Sequence, residues 1–416
     1  MTASRDLTRR SVLKTAAGTA LLAGIGMPAI SRAQSDVIRI GHLTPLTGFL
    51  GPLGEYAVMG VNLAAEEINA AGGVMGRKIE LVMEDSVNPQ TASAKAERLI
   101  DRDNVSMIIG EISSASALAI GQVAERKNRV FINTGANSDA LRGQSCNQFM
   151  FHIEAANSMM VLTAGEYLLR EGLVKGKKWY SLTADYAFGH DLLKVARAFM
   201  QKQGGEFAGD ELVPTDTADF SPYLLKIRQA RPDLVISNLA GNQITNFMKQ
   251  YAEYGLSFPL AGFGFDTAVA WGAGQGNFSG IWPLVWHHLV DTPSSKAYVE
   301  AFRKKYNRLP ENQSWGDYNA LKVVAQAMTE TKSTDAAALA KHLRSGAKFD
   351  VMKSREGYFR PYDNQMTMEM YAVRAKETSQ MKDKFDIYVP LGTVPGSNTD
   401  LETIAPPKDG SCAMKV

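Results

Sequence analysis

Two short stretches of this chain place hydroxyls and open backbone amides where a small anion could be held. They are Gly110-Glu111-Ile112-Ser113-Ser114-Ala115-Ser116 and Asn133-Thr134-Gly135-Ala136-Asn137. Each follows a short aliphatic run, so each reads as the loop that leaves a buried strand, and the first also opens a helix. The first amides of a helix have no partner within it, so Ser113, Ser114 and the Ala115 amide suit a carboxylate. Serine at a helix start also does a simpler job, capping the helix with its own oxygen, and that reading stands beside the first. Thr134, next to Gly135, adds a hydroxyl, although alone it is an ordinary turn residue.

Three further groups have the right chemistry for a binding cleft. Tyr186 lies in Ala184-Asp185-Tyr186-Ala187-Phe188-Gly189, Asn238 in Asn238-Leu239-Ala240-Gly241-Asn242, and Asp266 in Gly262-Phe263-Gly264-Phe265-Asp266-Thr267. A buried carboxylate beside a bound cation is worth more than an exposed ion pair, which gives under about 1 kcal/mol. Each also has a plain alternative: Tyr186 as a core aromatic with a wet hydroxyl, Asn238 as a helix cap, Asp266 as a cap or turn residue. Phe263, Phe265 and Trp271 nearby also suit a pocket for an aromatic acid, while Trp282, Trp286 and Trp315 read as core.

Catalytic motifs are missing from the sequence. Gly272-Ala273-Gly274-Gln275-Gly276 lacks the last spacing of a dinucleotide fingerprint, and there is no phosphate loop, H-E-x-x-H or G-x-S-x-G elbow. The neighbours His287 and His288 diverge on a helix or a strand, which speaks against a metal. No cofactor is expected.

The elements that must position these loops alternate. Residues 37–42 and 79–83 read as strands flanking a helix whose Ala57, Val61, Ala64, Ala65 and Ile68 share one face, with Gly51-Pro52 before it and Gly72-Gly73 after it. Helix 91–101, strand 105–109, helix 116–126 and strand 130–133 follow. A second series begins with helix 160–169 and strand 178–183. It continues through helix 191–203, strand 207–213, helix 223–229, strand 234–238, helix 243–254 and strand 258–262. Helices 295–306 and 317–330 bring no strands of their own. The expected architecture is therefore α/β, with two doubly wound Rossmann-like lobes joined by a hinge of three crossings. Lobe one is 36–153, lobe two 157–285, with a return to lobe one over 291–367, to lobe two over 372–402, and a tail over 403–416; the stretch 397–407 reads as loose and turn-rich. In such sheets ligands sit outside the carboxyl ends of the strands, which is where the candidate loops fall.

Residues 1–33 read as an export signal, with Arg9-Arg10 in a twin-arginine-like motif, an apolar run, and Ser31-Arg32-Ala33 at the cleavage point. That segment carries five of the 45 Lys/Arg (Arg5, Arg9, Arg10, Lys14, Arg32) and one of the 43 Asp/Glu (Asp6). What remains is close to neutral, so charge gives no reason to expect nucleic acid or an acidic membrane as partner. Export also permits a disulfide, and an even count of two, Cys146 and Cys412, favours one.

The stretch Ile38-Arg39-Ile40-Gly41-His42-Leu43-Thr44-Pro45-Leu46-Thr47-Gly48, then the Gly-rich loop, then Asn62-Leu63-Ala64-Ala65-Glu66-Glu67-Ile68-Asn69, resembles the start of the leucine/isoleucine/valine-type periplasmic solute-binding proteins of ABC importers. The resemblance implies the type 1 periplasmic binding protein fold and a periplasmic monomer. It implies a small-molecule solute, a carboxylate-bearing amino acid or an aromatic acid or amide, handed to permease subunits in the inner membrane. Ser113, Ser114, Ala115 and Thr134 would take the ligand carboxylate, Tyr186 and Asn238 would add the second lobe, and Asp266 would pair with an ammonium. Phe49 and Leu53 would present side chains from the opening loop. A sensor passing its signal to a partner receptor would use the same cleft.

Overall fold

The structure is a computed structural model describing residues 37–414. The expected export segment, 1–33, lies outside the described residues. Lobe one begins with β1 (Val37–Thr44), α1 (Gly51–Ala70), β2 (Lys78–Asp85), α2 (Pro89–Asp101), β3 (Met107–Gly110), α3 (Ser114–Arg126), β4 (Val130–Asn133) and β5 (Met150–His152). Its five strands are all parallel, in the order β2-β1-β3-β4-β5. β3 and β4 are buried along their whole length, as parallel strands covered by helices on both faces must be.

Lobe two runs through α4 (Asn157–Arg170), β6 (Lys178–Ala184), α5 (Ala187–Gln203), β7 (Glu206–Val213), α6 (Ser221–Ala230), β8 (Leu234–Asn238), α7 (Asn242–Glu253), β9 (Leu260–Gly262), α8 (Thr267–Ala273) and β10 (Ile281–Leu284). The order β7-β6-β8-β9-β10 repeats that of lobe one. Returning strands extend it: β13 (Met370–Ala375) pairs antiparallel with β10, and β14 (Tyr388–Val394) pairs antiparallel with β13 at the edge. Between the two visits lie α9 (Pro293–Tyr306), α10 (Asn312–Thr331), α11 (Ala336–Leu343) and the small hairpin of β11 (Tyr358–Phe359) and β12 (Met366–Thr367).

These returning helices complete lobe one. The α1 face expected from the sequence is buried, Leu53 extends it by one turn, and Met59 and Leu63 off that face are buried as well, because α10 also lies against the helix. The helices meet at Gly60, where an added Cβ would sit 2.0 Å from the Ser314 carbonyl oxygen. His42 Nε2 on β1 and Asp317 Oδ1 on α10, both fully buried, stand 2.7 Å apart and tie the return segment to the sheet.

The sequence reading starts several helices too late. α2 and α9 begin at Pro89 and Pro293, where a missing amide is harmless at a helix start, rather than two residues further on. α10 begins at Asn312 rather than 317, because the Glu311 side chain accepts from the Gln313 and Ser314 amides and caps it. The stretch after β14, read from its turn-forming composition as loose, is packed. Arg355 donates to the carbonyls of Pro395, Ser397 and Thr399, and Leu401 and Ile404 are buried. Cys146 and Cys412 form a disulfide across 266 residues, anchoring the tail on lobe one. Among the described residues no helix is long and apolar enough to cross a membrane.

Candidate functional site

Both sheets point their carboxyl ends at the same gap, and both reverse strand order there: between β1 and β3 in one lobe, between β6 and β8 in the other. The loops leaving those strands and the first turn of α10 enclose a cavity of about 30 Å³, room for about one or two waters. The lobes are in contact around it. An added Cβ on Gly241, which has φ +51°, would lie 2.1 Å from the Phe49 carbonyl oxygen. The Tyr186 ring meets Phe49 edge-on at 5.5 Å. Asp266 Oδ1 accepts from Gln313 Nε2 at 2.9 Å and from Asn312 Nδ2 at 3.4 Å. A larger cavity, about 650 Å³, is an open groove outside lobe one between α1, α9 and α10, and none of the candidate loops reaches it.

In the first loop Gly110 (φ +127°) lets the chain pass the Leu43 carbonyl, 2.5 Å from where a Cβ would be, and Glu111 follows in the left-handed region at φ +73°. That turn folds the Glu111 carboxylate back, so that Oε1 accepts from the Ile112 amide at 3.0 Å and the Ser113 amide at 2.7 Å. Full burial pushes its pKa up to about 7, the Ser113 amide being the chief opposing influence. The chain thus supplies its own carboxylate to two amides ahead of α3. Ser113 is the residue before the helix, but its side chain makes no capping bond, so the simple cap reading is wrong here. Ser114 is buried and its Oγ accepts from the Ser138 amide at 3.2 Å. Neither these serines nor Ala115 lines the cavity.

The second loop is held by Asn133, whose Oδ1 accepts from the Ala136 amide at 2.8 Å. Gly135 lines the cavity, and a Cβ there would come within 2.6 Å of Gln313 Oε1. Thr134 does not line it. It is fully buried against Gly316 of α10, with its hydroxyl unpartnered. The residue of this loop that lines the cavity with a polar side chain is Asn137, whose Nδ2 donates to Glu154 Oε1 at 3.0 Å. Glu154 sits in the first crossing, buried, and also accepts from Asn312 Nδ2 on Oε2 at 3.2 Å. Burial, and then the charge of Asp266, push its pKa up to about 8. Arg142, the nearby cation, is fully engaged with the carbonyls of Ala136, Ser138 and Glu154 and the side chain of Gln365.

From lobe two, Tyr186 and Asp266 line the cavity, as do Leu239 and Ala240. Burial raises the Asp266 pKa, with the bonds from Gln313 and Asn312 opposing. The Asp266 side chain makes no capping bond to α8. Asn238 neither lines the cavity nor caps α7, whose preceding residue is Gly241. It is buried in the sheet and donates to Thr183 Oγ1 at 3.4 Å. Of the three aromatics nearby only Phe265 reaches the cavity. Phe263 packs behind it on Trp179, and Trp271 faces Phe385 and His288. Trp282, Trp286 and Trp315 are fully buried. Leu53 forms part of the opposite wall, beside Leu50 and Ile112, while Phe49 stands at the rim against Tyr186.

The sequence reading therefore misses Asn137, Glu154, Asn312 and Gln313. Asn137 lay inside a motif already singled out. Glu154 carried the one usable signal, an acid set among Ile153, Ala155 and Ala156 where a carboxylate has no reason to be buried without a task.

A family model described as "Periplasmic binding protein" matches residues 37–380. Leu/Ile/Val-binding protein homolog 7 of Brucella suis biovar 1 is 29% identical over 367 residues, 83% of this chain and 88% of that protein. A periplasmic binding protein from Burkholderia mallei superposes with a TM-score of 0.83 at 27% identity, covering 92% of this chain and all of that one. A Rhodopseudomonas palustris BisB5 solute-binding protein of an ABC transporter, in complex with 3,4-dihydroxybenzoic acid, shares the fold at a TM-score of 0.75 and 22% identity, covering 86% and 97%. With a two-lobed α/β architecture, a cavity at the facing strand ends and a family match across most of its length, the chain belongs to the periplasmic binding proteins, in their leucine/isoleucine/valine-like type 1 form.

Proposed function

We propose that this protein is the solute-binding component of an ABC importer, capturing a small amine-bearing solute between its lobes in the periplasm and delivering it to membrane permease subunits. The observation that carries the reading is Asp266: a carboxylate on lobe two that bonds Asn312 and Gln313 of lobe one across the cavity. A cation bound there strengthens a contact that exists only when the lobes are shut, and differential contact of that kind is what drives closure. An amino acid is the first candidate, in keeping with the name of the Brucella relative. An aromatic carboxylate is the second candidate, favoured by Phe265 in the lining and by the dihydroxybenzoate-bound neighbour. The protein would act as a monomer, without catalysis, after export by the twin-arginine route.

A melting-temperature screen with branched-chain and basic amino acids, short amides and hydroxylated aromatic acids tests this, paired with Asp266→Asn. The variant should lose amino-acid binding and keep binding of a plain carboxylate. Equal loss of both, or of neither, removes Asp266 from its role. Turnover of a bound solute would replace binding protein by enzyme.

A further inference from the structure

Six polar side chains line the cavity: two acids, three amides whose NH₂ groups all point at those acids, and the Tyr186 hydroxyl. Glu154 and Asp266 both line it, and no Lys, Arg or His does. Asn312 and Gln313 line it too, each only 2% exposed, and the NH₂ group of each is committed to a carboxylate. Their remaining atoms, Asn312 Oδ1 and Gln313 Oε1, are carbonyl oxygens with no hydrogen-bond partner. Gln313 Oε1 faces Gly135, itself a lining residue, so it is directed at the cavity wall where a ligand would lie. A buried carbonyl left without a donor costs about 1–3 kcal/mol, so the arrangement makes sense when a ligand supplies the donors.

The acceptor count discriminates between ligands. An ammonium offers three N–H donors, a guanidinium five in a planar fork. Two carboxylates and two orphaned amide oxygens exceed what a single ammonium satisfies. Nor does the first loop favour a ligand carboxylate at the Ile112 and Ser113 amides, which Glu111 already occupies. Asn312 Nδ2 stands between Glu154 Oε2 and Asp266 Oδ1, so the two acids are held apart by an amide, positioned to receive separate N–H groups.

Resting on the solute-binding reading above, we infer that the cleft selects a solute whose cationic end is rich in N–H donors, a guanidino or diamino compound, with the carboxyl groups of Glu154 and Asp266 as its two contacts. The cavity as it stands, about 30 Å³, is smaller than any such solute, so the lobes would part to admit one, and the aliphatic side chains of Leu50, Leu53, Ile112, Met160 and Ile244 would then cover its methylene chain.

Titration calorimetry on the full mature chain with arginine, agmatine, putrescine, leucine and 3,4-dihydroxybenzoate decides it. Arginine, agmatine or putrescine should bind at least tenfold more tightly than leucine, and Glu154→Gln should weaken that binding at least tenfold while changing leucine binding less than threefold. Preferred binding of leucine or dihydroxybenzoate overturns this inference and leaves the solute-binding reading intact. Tight cation binding that Glu154→Gln does not change overturns the two-acid assignment. No binding of any of the five overturns the inference, and failure of the wider solute screen as well would overturn the reading beneath it.

Discussion

The two lobes share a strand order but finish their facing loops in opposite ways. In lobe one the residues that open the loops after β3 and β4 are bonded within the lobe: Glu111 takes the Ile112 and Ser113 amides, Asn133 holds its own turn, and Ser114 accepts from Ser138. In lobe two the groups at the edge find partners across the gap, Asp266 on Asn312 and Gln313, Tyr186 on Phe49, and Gly241 against the Phe49 backbone. A loop bonded within its own lobe keeps its shape whether the lobes are open or shut. A loop whose partners lie across the seam registers closure. The β3 and β4 loops of lobe one are therefore the fixed wall, and changes in them and their scaffold should cost stability, whereas changes in the facing loops of lobe two should cost binding.

The largest effect expected lies in the scaffold of the fixed wall. Gly60→Val forces α1 off α10 at a backbone contact and should lower unfolding stability by about 3 kcal/mol in urea titration, with affinity retained by whatever remains folded. A stability loss below about 1 kcal/mol would mean that the two helices are free to shift. Next in size is Gly241→Ala. Its left-handed φ adds strain of about 1 kcal/mol in either state, but the clash with Phe49 exists only when the lobes meet. Solute affinity should fall at least tenfold, and small-angle scattering should keep the extended radius at concentrations that close the parent. Unchanged affinity would erase the distinction between the lobes.

Stability should also depend on pH. Glu154 and Glu111 have folded pKa values raised to about 8 and about 7, above the ordinary carboxylate range they regain on unfolding. The folded state holds the extra protons, so their stabilising effect is full in acid and is lost as pH rises from about 5 to 8, by at most about 1.4 kcal/mol per pH unit for each proton. Burial holds His152, His287, His288 and Lys353 below their ordinary values, which slopes stability the other way, so the readout is a difference: melting temperature without solute should fall less, or rise more, over that window in Glu154→Gln than in the parent. An unchanged slope would contradict the assignment. Smallest is Ser113→Ala, which should change stability by less than about 0.5 kcal/mol, since no capping bond is lost. A loss of 1 kcal/mol or more would show that the hydroxyl is engaged after all.

Much of the fold was legible because burial leaves a local pattern. The aliphatic runs at β3, β4 and β8 and the 3.6-residue spacing in α1 needed no tertiary context. The site was legible to the level of its loops, not of its side chains. Thr134 and Gly135 are neighbours, and one faces α10 while the other faces the cavity; that choice is made by Gly316, far along the chain. Asn312 and Gln313 carried no signal as a short polar pair until the return of the chain set them opposite Asp266.

By itself the sequence determined two alternating α/β series, the loops that end their strands and the pairing of Cys146 with Cys412 as an option in an exported chain. Only the tertiary structure decided which loop residues face the gap, because inward or outward depends on the element packed behind each one. It also decided the character of the cavity. Glu154, Asp266, Asn312 and Gln313 come from three distant segments, and four acceptors become one recognition surface only when the lobes bring them together.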